Sequence, residues 1–411
     1  MKKIFLISLA FLFITSWCLA EAQTRPITFD DFIRIKRVSD PQVSPDGEHI
    51  AFVVTEMDKE RNTSNSDIWV VASRGGEPWK LTSSPKADFS PRWSPDGKKI
   101  AFISTRGGAP QIWTIDPKGG EGLQLTVLST GASGVIWSPT GTHLAFTSSV
   151  YPDCPDDDCN KQRNEKREKS MVKARVFDQL LFRHWNSWRE GDRSHLFVIP
   201  AQGGKAVDVT PGDFDTPPIA LGGSLDYAFS PDGKEVCFVR NIDPELKLSL
   251  GTNNDLFTTP IEGGTITKIT ENKANDNSLR YSPDRKFIAY RAMARPGFEA
   301  DKYSHILYDR KTREKVNLTE SLDISINETL WSPDSSLIYI TFEEKGRMSL
   351  ARISVKTKKM EKVLDGHFIS SPCLSPDGKR IVFLKQALNR PTDIYSLELG
   401  ANKLVQLTDI N

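Results

Sequence analysis

The side chains best suited to chemistry in this sequence fall between residues 182 and 193, Phe-Arg-His-Trp-Asn-Ser-Trp-Arg-Glu-Gly-Asp-Arg. Two tryptophans, three arginines and two carboxylates in twelve residues are more than a solvated turn requires. Arginine pairs carboxylates through a planar fork, and tryptophan supplies desolvated anchoring area. Arg183, His184, Trp185, Trp188, Glu190 and Asp192 are therefore candidate contacts for a substrate or partner. The plainer reading is an extended hairpin whose aromatics pack on a neighbouring element, and both readings stay open.

Other candidates carry less. Nucleophilic hydrolysis needs a nucleophile, a base and usually a strained elbow of the Gly-x-Ser-x-Gly kind. Gly131-Ala132-Ser133-Gly134 comes nearest but lacks that spacing. His49 and His143 occupy a repeat position that elsewhere holds Lys99, Glu235, Phe287, Leu337 or Arg380, so no shared chemistry sits there. His195 and His305 are expected just before strands and His367 in a turn, with no pair at metal-ligand spacing. Adjacent Glu343 and Glu344 could hold an ammonium group, yet Lys345-Gly346 follows them and makes a polar hairpin the simpler account. No catalytic residue, metal site or cofactor is expected of this chain. Cys154 and Cys159 flank four residues of a polar loop and are expected to form a disulfide; Cys237 and Cys373 sit in apolar strand patterns.

A repeat positions these residues. Ser-Pro-Asp-Gly or a variant begins at Ser44, Ser94, Ser138, Ser230, Ser282, Ser332 and Ser375, with spacings of 50, 44, 92, 52, 50 and 43 residues. Proline presets the turn, aspartate bonds its local backbone, and glycine supplies the left-handed residue. An alternating strand follows each anchor, as in Ile100–Ile103. A second strand, a Gly-Gly turn and a short strand ending in Leu-Thr come next. With the apolar segment before each anchor, the unit has four strands, the content of one propeller blade. The fold class is all-β: a seven-bladed β-propeller of four-stranded antiparallel blades. The 92-residue gap holds a charged insertion at about 151–174, a strand-like Val176–Phe182 and a candidate strand His195–Ile199; an eighth blade without an anchor is the alternative.

Lys2 and Lys3, the apolar run Ile4–Leu19 and the small residues around Ala20-Glu21-Ala22 read as a secretory signal peptide over residues 1–22. Cys18 raises a lipoprotein alternative, but Trp17 stands where a small residue is needed. The chain is expected to be exported, periplasmic or secreted, with no later stretch apolar enough to span a bilayer. A formal net charge of +1 leaves no basic excess for a nucleic-acid partner.

The chain resembles the N-terminal half of prolyl oligopeptidase family serine peptidases, in their dipeptidyl-peptidase and acylaminoacyl-peptidase branch. The resemblance rests on Ile27–Phe32 leading through Arg37–Gly47, on the repeated units, and on Phe182–Trp185 running to His195–Val198. It implies a propeller that caps an α/β-hydrolase domain, restricts entry of large substrates and lends binding residues. The family's catalytic Ser, Asp and His have no matching positions up to Asn411. The reading is thus a noncatalytic, substrate-gating propeller of an exported serine peptidase, expected to be a truncated chain. Residues 23–40 are expected to pack on the missing hydrolase domain, leaving weak self-association. The alternative is a free-standing periplasmic TolB-like propeller that binds proteins.

Overall fold

The computed structural model describes residues 25–178 and 180–411; the expected signal peptide lies outside the described residues. Seven antiparallel four-stranded sheets span residues 37–80, 88–124, 133–208, 227–268, 276–317, 326–364 and 368–406, blades 1 to 7. No eighth blade occupies the long gap. The excess residues lie between the second strand of blade 3, His143–Val150, and its third, Arg193–Pro200. They form a helix, Asp157–Lys169, and a small hairpin pairing Arg183–His184 with Ser187–Trp188. The expected strand at 176–182 does not form among the described residues: the Phe182 carbonyl accepts the Arg189 amide at 3.0 Å, and the Phe177 and Phe182 rings stack with Trp188. His195 lies within the third strand of blade 3, which contains the candidate strand His195–Ile199, and His305 lies inside the third strand of blade 5 rather than before it.

The anchor motif works through one hydroxyl. In blade 2 the Ser94 Oγ donates to Asp96 Oδ1 at 2.7 Å and accepts from the Lys99 amide at 2.9 Å, while Gly97 takes φ +71°. Arg285 and Ser335 hold that left-handed position in blades 5 and 6, where a Cβ is strained. The tryptophan before the motif joins adjacent blades. Trp93 Nε1 donates to Gln42 O at 3.0 Å, Trp137 Nε1 to Arg92 O at 3.0 Å, and Trp331 Nε1 to Arg280 O at 3.4 Å. The Leu-Thr ending has its own task. The threonine hydroxyl accepts a third-strand amide fourteen residues earlier, as Thr126 does from Ile112 at 2.9 Å, and then donates to Gln111 at 2.8 Å.

Apolar clusters fill the seams between blades, for example Ile68, Val70 and Leu81 against Ile100 and Phe102. First strands abut around the axis, including that of blade 7 against blade 1. Each blade is built from one continuous stretch of chain, so among the described residues no exchanged strand closes the ring. Closure rests on Val38, Phe52 and Val54 packed with Val382, Leu384 and Ile394. Lys36 and Asn411 add a mutual pair of hydrogen bonds (2.7 and 3.1 Å). Anchor and Gly-Gly turns share one face of the disc. The long connectors between second and third strands share the other with helix α1 (Phe29–Arg34), which precedes the first strand.

Candidate functional site

The connector face at blades 3 and 4 is where the sequence-predicted residues gather. The hairpin is folded back by ion pairs to the loop after blade 3. Arg189 Nη2 lies 2.8 Å from Asp215 Oδ2, both largely buried, and Asp215 Oδ1 accepts the Ser194 amide at 3.0 Å. Arg193 Nε meets Asp213 Oδ1 at 2.8 Å. These four residues, with Phe214, Asn241 and Asn253, line a cleft of about 400 Å³. Arg240 lies beneath it with Nε on Thr216 Oγ1 at 2.8 Å and its guanidinium 5.6 Å from the Phe214 ring; burial pushes its pKa down to about 10.

The six predicted contacts divide. Glu190 is tied to Arg175 at 2.8 Å and approached by Arg167 at 3.9 Å, so its charge is already matched. Trp188 stacks with Phe177 (5.6 Å) and has the Arg175 guanidinium over its ring (5.4 Å). His184 and Trp185 meet edge to face at 6.0 Å at the hairpin tip, where Trp185 has φ +50° and is 84% exposed. Arg183 pairs in register with Trp188 and is exposed, while Asp192 is half-buried beside Arg193. The hairpin is therefore a braced arm with a free aromatic tip. Arg189, Arg193, Asp213 and Asp215, which build the cleft, were missed as site residues. The charged Asp213-Phe214-Asp215 turn facing two of the stretch's arginines was the available signal.

A second polar cluster joins neighbouring blades. Arg92 Nη1 pairs with Asp40 Oδ2 at 2.8 Å. Asp226 accepts the Ser278 amide at 2.9 Å, and Arg291 donates to Asn327 O at 2.8 Å and Asn277 Oδ1 at 3.0 Å. Burial raises the Asp226 and Glu328 carboxyls and lowers the Arg291 guanidinium.

Nothing described forms a nucleophile–base–acid set. Ser133 Oγ meets Thr147 Oγ1 (2.9 Å), and the Thr147 hydroxyl also lies within donating distance of the Ser133 carbonyl (3.3 Å). His195 holds Asp208 (2.7 Å) and Gly212 O (2.8 Å). Glu343 and Glu344 stand in the expected hairpin, with Glu344 on Lys362. Cys154 and Cys159 are joined by a disulfide, Cys237 is buried, and Cys373 is half-buried.

Exposed large apolar side chains have a clear distribution. All but Trp79, Leu123 and Val207, on fourth strands, and Phe368, which opens the first strand of blade 7, lie on connectors or termini at the connector face, with Phe29, Phe32, Leu250 and Leu388 among them.

A family model described as the TolB beta propeller domain matches residues 34–166. Dipeptidyl-peptidase 5 of Porphyromonas gingivalis is 29% identical over 354 residues, covering 83% of this chain and 49% of that protein. The chain is a seven-bladed propeller related to the dipeptidyl-peptidases. An uncharacterized peptidase, YuxL, of Bacillus subtilis is 29% identical over 94% of the chain and 59% of its own length. The chain thus spans about half the length of the curated relatives it matches. The Pyrococcus horikoshii acylaminoacyl peptidase shares the fold, with TM-score 0.67 at 18% identity over 92% of this chain and 53% of that one. So does the propeller domain of the Trilobed protease from Pyrococcus furiosus, described as having an open velcro topology (TM-score 0.61, 16% identity, 92% and 97% covered). The resemblance read from the repeats and from the 182–198 stretch holds.

Proposed function

We propose that this propeller is the noncatalytic, substrate-gating part of an exported serine peptidase of the dipeptidyl-peptidase kind. The observation that carries the reading is the likeness to dipeptidyl-peptidase 5 along 83% of the chain. Its connector face would seat an α/β-hydrolase domain, with exposed Phe29 and Phe32 of α1 inside that contact. The arm and the Arg189–Asp215 cleft would then border the enclosed space. An exposed apolar area this concentrated suits a protein contact better than bulk water. The TolB-like family match supports a second reading, a propeller that binds proteins without a hydrolase partner.

The test is direct. The purified chain should neither cleave dipeptidyl or acyl-aminoacyl chromogenic substrates nor react with a fluorophosphonate probe, because no serine of the sequence stands in a Gly-x-Ser-x-Gly elbow. Stoichiometric labelling of one serine would refute the noncatalytic assignment. Export is checked by the mature N-terminus after expression with the full leader, expected near Gln23.

A further inference from the structure

Two seams of the ring contain facing carboxylates at the same repeat positions. Between blades 1 and 2, Asp67 lies fifteen residues before the Leu-Thr threonine Thr82, and Asp88 lies six before the anchor Ser94. Both are buried and sense each other's charge. Each has a cation: Lys80 Nζ is 2.8 Å from Asp67 Oδ2, and Arg106 Nη2 is 2.7 Å from Asp88 Oδ2. That seam is neutral.

Between blades 4 and 5 the arrangement recurs with one member changed. Asp255 stands fifteen residues before Thr270, Asp276 stands six before Ser282, and Lys268 Nζ reaches Asp255 Oδ2 at 2.8 Å. Arg106 lies twelve residues after its anchor; the matching residue here is Ala294. Asp276 is fully buried, takes a 2.6 Å bond from Asn272 Nδ2 on Oδ1, and has no partner for Oδ2. Lys315 acts on it through space without an ion pair. The Thr270 hydroxyl donates to Asp255 Oδ1 at 3.1 Å and also lies beside Asp276, so the two carboxylates converge. Burial, aided by the Asp255 charge, raises the Asp276 carboxyl to about 7. The seam lacks one positive charge, and a buried unpaired carboxylate is costly.

We propose that the seam between blades 4 and 5 binds a hard cation, sodium or calcium, through Asp276 Oδ2, Asp255 Oδ1 and the Thr270 hydroxyl, where the Arg106 guanidinium stands in the twin seam. Carboxylate and hydroxyl oxygens suit such ions. No third carboxylate or imidazole joins them among the described residues, so water completes the shell.

The test uses the full chain, freed of metal by chelator and dialysed into choline chloride, with thermal unfolding followed as sodium or calcium chloride is added at constant ionic strength. Linkage requires Tm to rise with the logarithm of cation concentration above Kd. The response should vanish in Asp276→Asn. In Ala294→Arg the starting Tm should be higher and the response lost. No response of the wild type to either ion overturns the proposal, as does a full response kept in Asp276→Asn or in Ala294→Arg. A Tm that changes only with pH assigns the missing charge to a proton and overturns it too.

Discussion

His305 shows how one side chain departs from the repeat around it. Its amide donates to Thr319 Oγ1 at 2.8 Å, the bond that Ile68, Ile112, Leu196, Leu256 and Ile394 make in other blades. Those residues fill seams with hydrocarbon; His305 puts an imidazole there, fully buried, with neither nitrogen bonded. Burial, with the nearby Arg291 charge, lowers its pKa to about 3. An unfolded histidine takes its proton near pH 6.5. Stability is therefore unaffected above that pH and falls as pH drops from 6.5 towards 3, where the folded ring also protonates. At pH 4.5 the loss is about 2–3 kcal/mol, at 1.36 kcal/mol per pH unit. His305→Leu should remove that acid-dependent loss and also stabilise at pH 7.5, because two orphan nitrogens go with the ring. Urea unfolding at both values decides it: parallel pH profiles for wild type and variant would contradict a buried neutral ring. The sequence placed His305 only near a strand. Its seam position follows from counting back fourteen residues from Thr319, a rule that emerges once the threonine bonds are seen.

At the scale of elements, the blades were legible and the insertion was not, for one physical reason. Blade strands are half-buried, so burial imprints alternation and turn chemistry on them. The helix α2 (Asp157–Lys169) buries only Asn160 and has polar residues all round, so it leaves no apolar period to read. Local pins hold it. The Asp156 side chain caps the Cys159 amide at 2.9 Å, Asp157 accepts from Ser129 Oγ at 2.8 Å, and Asn160 Oδ1 accepts the Tyr151 amide at 2.8 Å. The Cys154–Cys159 disulfide ties the helix start to the turn that precedes it. A disulfide closing so short a loop restricts the unfolded chain little. Cys159→Ser should therefore leave global Tm nearly unchanged while amide exchange across α2 speeds up and the blades stay protected. Equal exchange in α2 with and without the bridge would show that the polar pins suffice. The arm beyond it was seen as a constellation, but its division into braced and free members depends on Arg175, Asp213 and Asp215, which lie outside the stretch.

The described residues form a ring in which blades 7 and 1 meet without covalent or strand-exchanged closure. Six seams are crossed by the chain, so their faces remain tethered when they part, and re-closing costs only short-loop entropy. The seam between blades 7 and 1 has no such tether. Its hold consists of the apolar packing around Phe52 and Leu384, Arg380 donating to Ser73 O and Gly47 O at 3.2 Å, and the Lys36–Asn411 pair. Local opening free energies should therefore be lowest there, although its core is as well buried as the others. Native-state exchange should show strands Arg37–Val43 and Arg390–Glu398 opening together, ahead of strands in blades 3 to 5. Phe52→Ala removes a fully buried ring at this seam and should cost about 3–5 kcal/mol. Phe238→Ala deletes an equally buried ring at the seam of blades 3 and 4 and should cost a similar amount. The variants should differ in where the loss appears: the first should accelerate exchange across blades 1 and 7 well below the global transition, the second mainly through global unfolding. Identical exchange patterns in the two variants would mean that the ring closes as firmly at its ends as along its chain, and that the connector face must account for any weak point.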